Sequence, residues 1–200
     1  MSPRPEARPP QRRRGAELEN ALLDAAWDEL VDKGYTGFTI ESVADRASTS
    51  RAVIYRRWQA KPDLVRAAVV HAGEKERVAI PDTGSLRDDL VELLRRANRS
   101  RAWLGIVMAL QLSGYYTETG TGPSDLRSAY LSGRENAVGT LLSRGVERGE
   151  ADPAKLSPRV EAVPFDLYRQ ELLMTLKPVP EEVIESIVDE VFMPLVRPAP

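Results

Sequence analysis

The 200-residue sequence contains no cysteine. That excludes a disulfide framework, thiolate metal sites and a cysteine nucleophile, and it is compatible with a reducing cytosol. Histidine occurs once, as His71. One imidazole cannot assemble a metal cluster, so His71 reads as a satisfied or exposed side chain of its helix rather than as a ligand. With one His and no Cys, no nucleophile–base arrangement stands out, although serine and carboxylate chemistry stays open. Long apolar runs are also missing, and the longest fall far short of a membrane span. The opening "MSPRPEARPPQRRRG" carries charge with no apolar stretch behind it and does not read as a secretory signal. "GYYTETGTGPS" lacks the Walker lysine and follows a helical pattern, so it is no phosphate-cradling loop. No segment alternates convincingly with period two. Together these absences disfavour an enzyme and call for no cofactor and no metal.

What is present is helical and unevenly charged. The length suits one large domain, or a small one joined to a medium one, with enough chain to bury a core. The net charge of -2 hides an asymmetry: residues 1–62 hold eleven Lys/Arg and nine Asp/Glu, and the remainder holds 17 and 21. A basic end on an acidic body points to a polyanion partner for that end. Residues 1–15 are rich in Pro and Arg with almost nothing apolar, and are expected to be a disordered basic arm. Arg12, Arg13 and Arg14 close it, either as a solvated tail or as an arm reaching along DNA phosphates or into the minor groove.

From Ala16 to Lys33, Leu18, Leu22, Ala25, Ala26 and Leu30 recur at helical spacing, and Gly34 supplies a stop. Thr39 can cap a second helix whose inner face is Ile40, Val43, Ala44 and Ala47. A third, short helix is expected from about Ser50 to Arg57. A fourth starts near Lys61, where Pro62 fits the first turn, and runs to about Arg77. Further helices are expected around Leu86–Ala97, Leu104–Tyr116, Leu126–Gly149, Arg159–Leu176 and Pro180–Leu195. The chain reads as all-α with about nine helices and no internal repeat.

Two short helices joined by a three-to-four-residue turn make a helix-turn-helix. Its second helix enters the major groove with its N-terminal residues toward base edges. Here that edge is Thr49, Ser50, Arg51 and Ala52. Arg51 can donate a bidentate pair to a guanine, and Thr49 and Ala52 are small enough to approach a thymine methyl. Tyr55 lies one turn beyond Arg51, with its hydroxyl in reach of a phosphate. Arg56, Arg57 and Lys61 would add phosphate contacts that orient without reading sequence. Val53, Ile54 and Trp58 read as the inner face. The competing reading is a surface helix that is merely rich in arginine.

"TIESVADRASTSRAVIYRRWQAKPDLV" resembles the DNA-binding segment of the TetR family of transcriptional regulators. The likeness runs from about Leu22 through Val65 and includes "DKGYTGFTIESVA", "SRAVIYRRW" and "KPDLV". The later "VPFDLYRQELL" also looks like the eighth helix of one actinobacterial-type branch. The resemblance implies a cytoplasmic, ligand-responsive regulator, with repression as the family default. It implies a homodimer with a helix-turn-helix head at 16–60 and a ligand-sensing and dimerisation body at 61–200. By matching position, Arg51, Ala52, Tyr55 and Lys61 would contact double-stranded operator DNA. Ser48 stands where the family usually has Gly, Thr49 where a small apolar residue is common, and Ala60 where a polar cap is usual.

A pocket would draw on Trp103, Leu104, Val107, Met108, Leu112, Tyr115 and Tyr116, with Phe165 and Tyr168 opposite. That lining favours a flat, mostly apolar ligand, though core packing explains most of these residues taken singly. On the last helix Val183, Ile187, Val191 and Leu195 are spaced by four, beside a row of Ile184, Val188 and Phe192. This broad apolar face, with Tyr168 and Leu172 on the preceding helix, is the expected dimer interface. The alternative function is a helical sensor or interaction protein without sequence-specific DNA binding.

Overall fold

The computed structural model describes residues 15–75, 79–99, 112–131 and 136–199, and no strand occurs among them. The arm residues Arg12, Arg13 and Arg14 and the pocket candidates Trp103, Leu104, Val107 and Met108 lie outside the described residues.

Helix α1 (Ala16–Gly37) lays Leu22, Ala26 and Leu30 into the core, and its regular winding stops at Gly34. There φ is 63°, a left-handed conformation that glycine enters without a Cβ clash. The N–H of Phe38 then donates back to the carbonyls of Gly34 and Tyr35, which swings the buried rings of Tyr35 and Phe38 inward. Helix α2 (Ile40–Arg46) starts on the expected Thr39 cap. The Thr39 hydroxyl accepts from the Ser42 N–H at 3.1 Å, and the Ser42 hydroxyl accepts from the Thr39 N–H at 3.3 Å. This reciprocal pair satisfies two donors the helix start would leave orphaned.

The turn into helix α3 (Arg51–Tyr55) passes through Ser48, whose φ of 52° is left-handed. A side chain there costs about 1–2 kcal/mol relative to an unstrained position. Part of that is offset because glycine loses more freedom on folding. Ser48→Gly is therefore expected to stabilise by up to about 1 kcal/mol and to raise the melting temperature by about 2–4 °C. A thermal melt followed by circular dichroism checks it.

Helix α3 has five residues, too few to stand alone. Ile54 anchors it, with no exposed surface, and burying that side chain contributes about 1.5–3 kcal/mol. Helix α4 (Lys61–Lys75) lies along α1 and carries Leu64, Val65 and Ala68 into the same core. Its missing polar cap is replaced from inside the helix. The Asp63 carboxylate accepts the Ala60 N–H at 3.1 Å.

Helix α5 (Leu86–Arg99) begins the second core. Next come α6 (Ser113–Thr119) and α7 (Pro123–Leu131), and α7 packs on α4. The expected single helix from Leu126 to Gly149 is described as α7 and a separate α8 (Ala137–Glu147), the latter capped by the Asn136 side chain. The linker "ADPAKLSP" contains a short 3-10 turn, Pro153–Lys155. Helix α9 (Pro158–Thr175) follows the Ser157 cap and carries a buried proline, Pro164, in its interior. The last rod consists of α10 (Glu181–Ser186), a π-helical segment (Ile187–Phe192) and α11 (Met193–Val196).

That π-helical segment reshapes the face expected for dimerisation. The Met193 N–H donates to the carbonyl of Val188, five residues back, just before Pro194, which has no N–H to give. The wider turn breaks the row spaced by four. Ile184, Ile187, Val188 and Phe192 are buried in the chain's own core beside Tyr168 and Leu172, so none of these six presents an open face to a copy. Val183 is half-buried against the same core. Val191 and Leu195 are 39% and 43% exposed.

Candidate nucleic-acid interface

Around the helix-turn-helix, burial sorts the side chains by role. Val53 and Trp58 pack against the core beside Ile54. Ser50, Arg51, Ala52, Tyr55, Arg56 and Arg57 are exposed, and Thr49 is half-buried at the turn. Tyr55 is 50% exposed, an unusual place for a large ring. The exposed edge is therefore polar and cationic, with one tyrosine.

The cations on it are not equivalent. Arg51 Nη1 donates to Glu41 Oε1 at 2.7 Å, with both side chains more than half exposed. The Glu41 carboxyl is held below its ordinary range by that hydrogen bond. Arg57 lies against its own helix, donating to the Val53 carbonyl at 3.3 Å, and sits 4.0 Å from Glu19. Arg56 has no ion pair among the described residues. Lys61 is engaged with α1. Its ammonium donates to the Tyr35 carbonyl at 2.6 Å and lies 4.0 Å above the Tyr35 ring. Burial pushes the Lys61 amine below its ordinary value, opposed by the nearby Glu118 carboxylate. Here Lys61 closes a junction, and a phosphate contact would require it to leave Tyr35.

The junction joins the head to α6. The Tyr35 hydroxyl donates to Glu118 Oε2 at 2.6 Å, and burial together with that carboxylate pushes the Tyr35 phenol up. Tyr35 meets Tyr115 edge-on at 5.6 Å, and Tyr115 meets Tyr116 at 5.7 Å. Gly114 lets the Tyr35 ring approach, since a Cβ there would sit 3.1 Å from it. The Tyr116 hydroxyl at the end of this row is buried without a hydrogen-bond partner among the described residues.

The expected pocket divides accordingly. Leu112, Tyr115 and Tyr116 belong to the core of the head and α4, whereas Phe165 and Tyr168 belong to the core of α5, α8, α9 and the last rod. Tyr168 is spent on structure: its hydroxyl is 3.2 Å from Asn98 Oδ1, and Asn98 in turn pairs with both backbone groups of Val179. An open groove between α8 and α9 is lined by other residues, including Leu142, Val146, Leu156 and Glu161.

Two polar clusters that hold the head in shape were not legible in the sequence. Glu29 is buried on α1 and is bound by Lys33 at 2.5 Å and by Arg46 of α2, which also reaches Asp32 at 2.6 Å. Burial works to raise the Glu29 carboxyl, but Lys33, Ser42 and Arg46 outweigh it and hold the carboxyl below its ordinary value. His71 is buried on α4 and meets Asp24 Oδ1 at 2.9 Å, and Lys75 meets the same oxygen. Periodicity hides the pairs that cross between helices, Arg46 of α2 with Glu29 and Asp32 of α1, and His71 and Lys75 of α4 with Asp24 of α1.

A pH dependence follows from Glu29. Its folded value is depressed, so its contribution is complete above the unfolded value of 4.5 and fades as pH falls through the folded one. Glu29→Gln is expected to lose about 2 kcal/mol at neutral pH, in line with hydrogen bonds to charged groups. The gap from the native protein should close toward acid pH. Urea unfolding across a pH series measures both.

Residues 22–68 match the model of bacterial regulatory proteins of the tetR family, and residues 80–191 match that of the tetracyclin repressor-like C-terminal domain. A DNA-binding transcriptional repressor TetR of Mycobacteroides abscessus is 29% identical over 185 residues, covering 92% of this chain and 97% of that one. The crystal structure of a TetR family transcription regulator, SCO0332, superposes with a TM-score of 0.61 at 25% identity, covering 91% of this chain and 100% of that one. The regulator FadR from Bacillus subtilis, solved with stearoyl-CoA, has a TM-score of 0.61 at 17% identity, covering 86% of this chain and 98% of that one.

Proposed function

Because the chain belongs to the TetR family of bacterial transcriptional regulators, we propose that it represses genes by binding a palindromic operator as a homodimer and leaves it on binding a small, mostly apolar ligand. The observation that carries the operator reading is the exposed edge of α3. Ser50, Arg51, Ala52 and Tyr55 stand clear of the core while Ile54 fixes the helix behind them. Arg51 reads a guanine, Tyr55 and Arg56 hold phosphates, and Thr49 borders the base edges. Residues 16–60 form the reading head and 61–200 the sensing and dimerising body. The site of action is the cytoplasm, where the operator is.

Dimerisation is assigned to the apolar side chains the last two helices leave open, Val191 and Leu195 with Met174 and Leu176 of the α9 end. Two copies set their recognition helices ~34–36 Å apart, one turn of DNA. Ligand release is supported by the buried Tyr116 hydroxyl, unpartnered among the described residues, which lies two aromatic contacts from the Lys61 end of α4. A ligand favouring a shifted α6 would move Tyr35 and with it the head. That FadR was solved with stearoyl-CoA fits a largely apolar effector class.

Selection from a random duplex library tests the operator reading. The account expects an enriched palindrome with half-sites one turn apart, each containing a guanine whose replacement weakens binding. Enrichment of no common sequence would contradict it.

A further inference from the structure

Glu41 is an acidic residue on an edge otherwise built to meet a polyanion. It lies in the first turn of α2 and holds Arg51, the side chain at the head of the recognition helix, at 2.7 Å. Its bland role would be to complement the positive end of α2. The geometry goes further. Both partners are open to water, 63% and 55% exposed, so the pair is cheap to open and is not needed to hold the fold. Neither side chain is buried behind the other; the carboxylate occupies the guanidinium that would otherwise be free for any phosphate. Beyond Glu41, Tyr55 and Asp45 also favour the Arg51 cation, each less than Glu41 does.

We propose that Glu41 is a specificity-determining, positioning residue: it keeps Arg51 engaged until a base edge replaces the carboxylate. This rests on the operator reading above. On non-operator DNA, a phosphate alone must compete with Glu41 and also approach the carboxylate's own charge. On the operator, Arg51 exchanges one bidentate-capable acceptor for another, the O6 and N7 of guanine. The ion pair thus penalises sequence-blind binding more than operator binding, and discrimination comes partly from suppressing the wrong complex.

The size follows from counterion release. Freeing one cation adds one phosphate contact and steepens the salt slope by about 0.9 per head, which is roughly eightfold in affinity at 0.1 M salt. Glu41→Gln keeps the shape of the side chain and removes its charge. With a scrambled duplex, each head of this variant should gain about eightfold, so a dimer engaged through both heads should bind about sixtyfold more tightly with a steeper salt dependence. Its affinity for the library-selected duplex should rise less, so the ratio of the two falls. In an Arg51→Ala background the same change should have a clearly smaller effect, because the carboxylate then has no guanidinium to hold and only its own repulsion of phosphate is relieved. Thermal melts of all variants confirm the fold.

An unchanged ratio in a discriminating native protein overturns the proposal. So does an effect of Glu41→Gln that persists in full without Arg51, which would reduce Glu41 to general repulsion. A native protein that fails to discriminate at all removes the operator reading itself, and this inference with it.

Discussion

Arg51→Ala is expected to weaken binding to the selected duplex by about a hundredfold or more. One lost bidentate contact to a guanine costs about tenfold per half-site, and a dimer loses it twice. Binding to a scrambled duplex should fall far less, because there the Arg51 guanidinium stays on Glu41 and makes no phosphate contact to lose. Tyr55→Phe separates the two kinds of contact. It keeps the ring, removes the hydroxyl, and should weaken both duplexes alike because a phosphate carries no sequence. Fluorescence anisotropy on both duplexes resolves this pattern. The fold should be untouched, since Arg51 is 63% exposed and its partner Glu41 is open to water.

The second large effect concerns assembly. Val191 and Leu195 are 39% and 43% exposed on the last rod, so charging them leaves the core of Ile184, Val188 and Phe192 intact. The Val191→Glu, Leu195→Glu double variant should sediment as a monomer with unchanged helicity. It should also lose operator affinity by about a hundredfold to ten-thousandfold, since the second head no longer binds at the effective concentration the first provides. A variant that remains a dimer would move the interface to another face. Scattering and anisotropy on one preparation report both quantities.

The sequence made the head readable because its signals are local. Thr39 three residues before Ser42, Gly34 after an apolar stripe, and Ile54 between exposed arginines each act within one or two turns, and the structure shows the cap, the left-handed glycine and the buried anchor. The cap of α4 was half legible. Ala60 looked like a deficiency, and Asp63 supplies the acceptor from three residues on.

What escaped the sequence depends on contacts between distant elements or on a change of helical winding. Lys61 looked like a phosphate contact by spacing, yet Tyr35 on another helix captures it. The row Val183, Ile187, Val191, Leu195 assumes an unbroken α-helix, and the π-helical turn ahead of Pro194 rotates its second half out of the core. Phe165 and Tyr168, expected as the far wall of a pocket, meet edge-on at 6.0 Å in the second core, where the Tyr168 hydroxyl reaches Asn98. These placements share one origin: periodicity tells which face a residue shares and not what comes to meet it.

The central claim is that this chain reads a DNA sequence through α3. The direct measurement is binding of the native protein to the library-selected duplex over a salt series, with excess scrambled duplex as competitor. The account predicts tight binding that survives competition and keeps its preference as salt rises, because the base contacts of Arg51 remain when phosphate contacts weaken. Equal and weak binding to both duplexes, vanishing together with salt, would contradict it and leave a helical sensor whose head meets DNA without reading it.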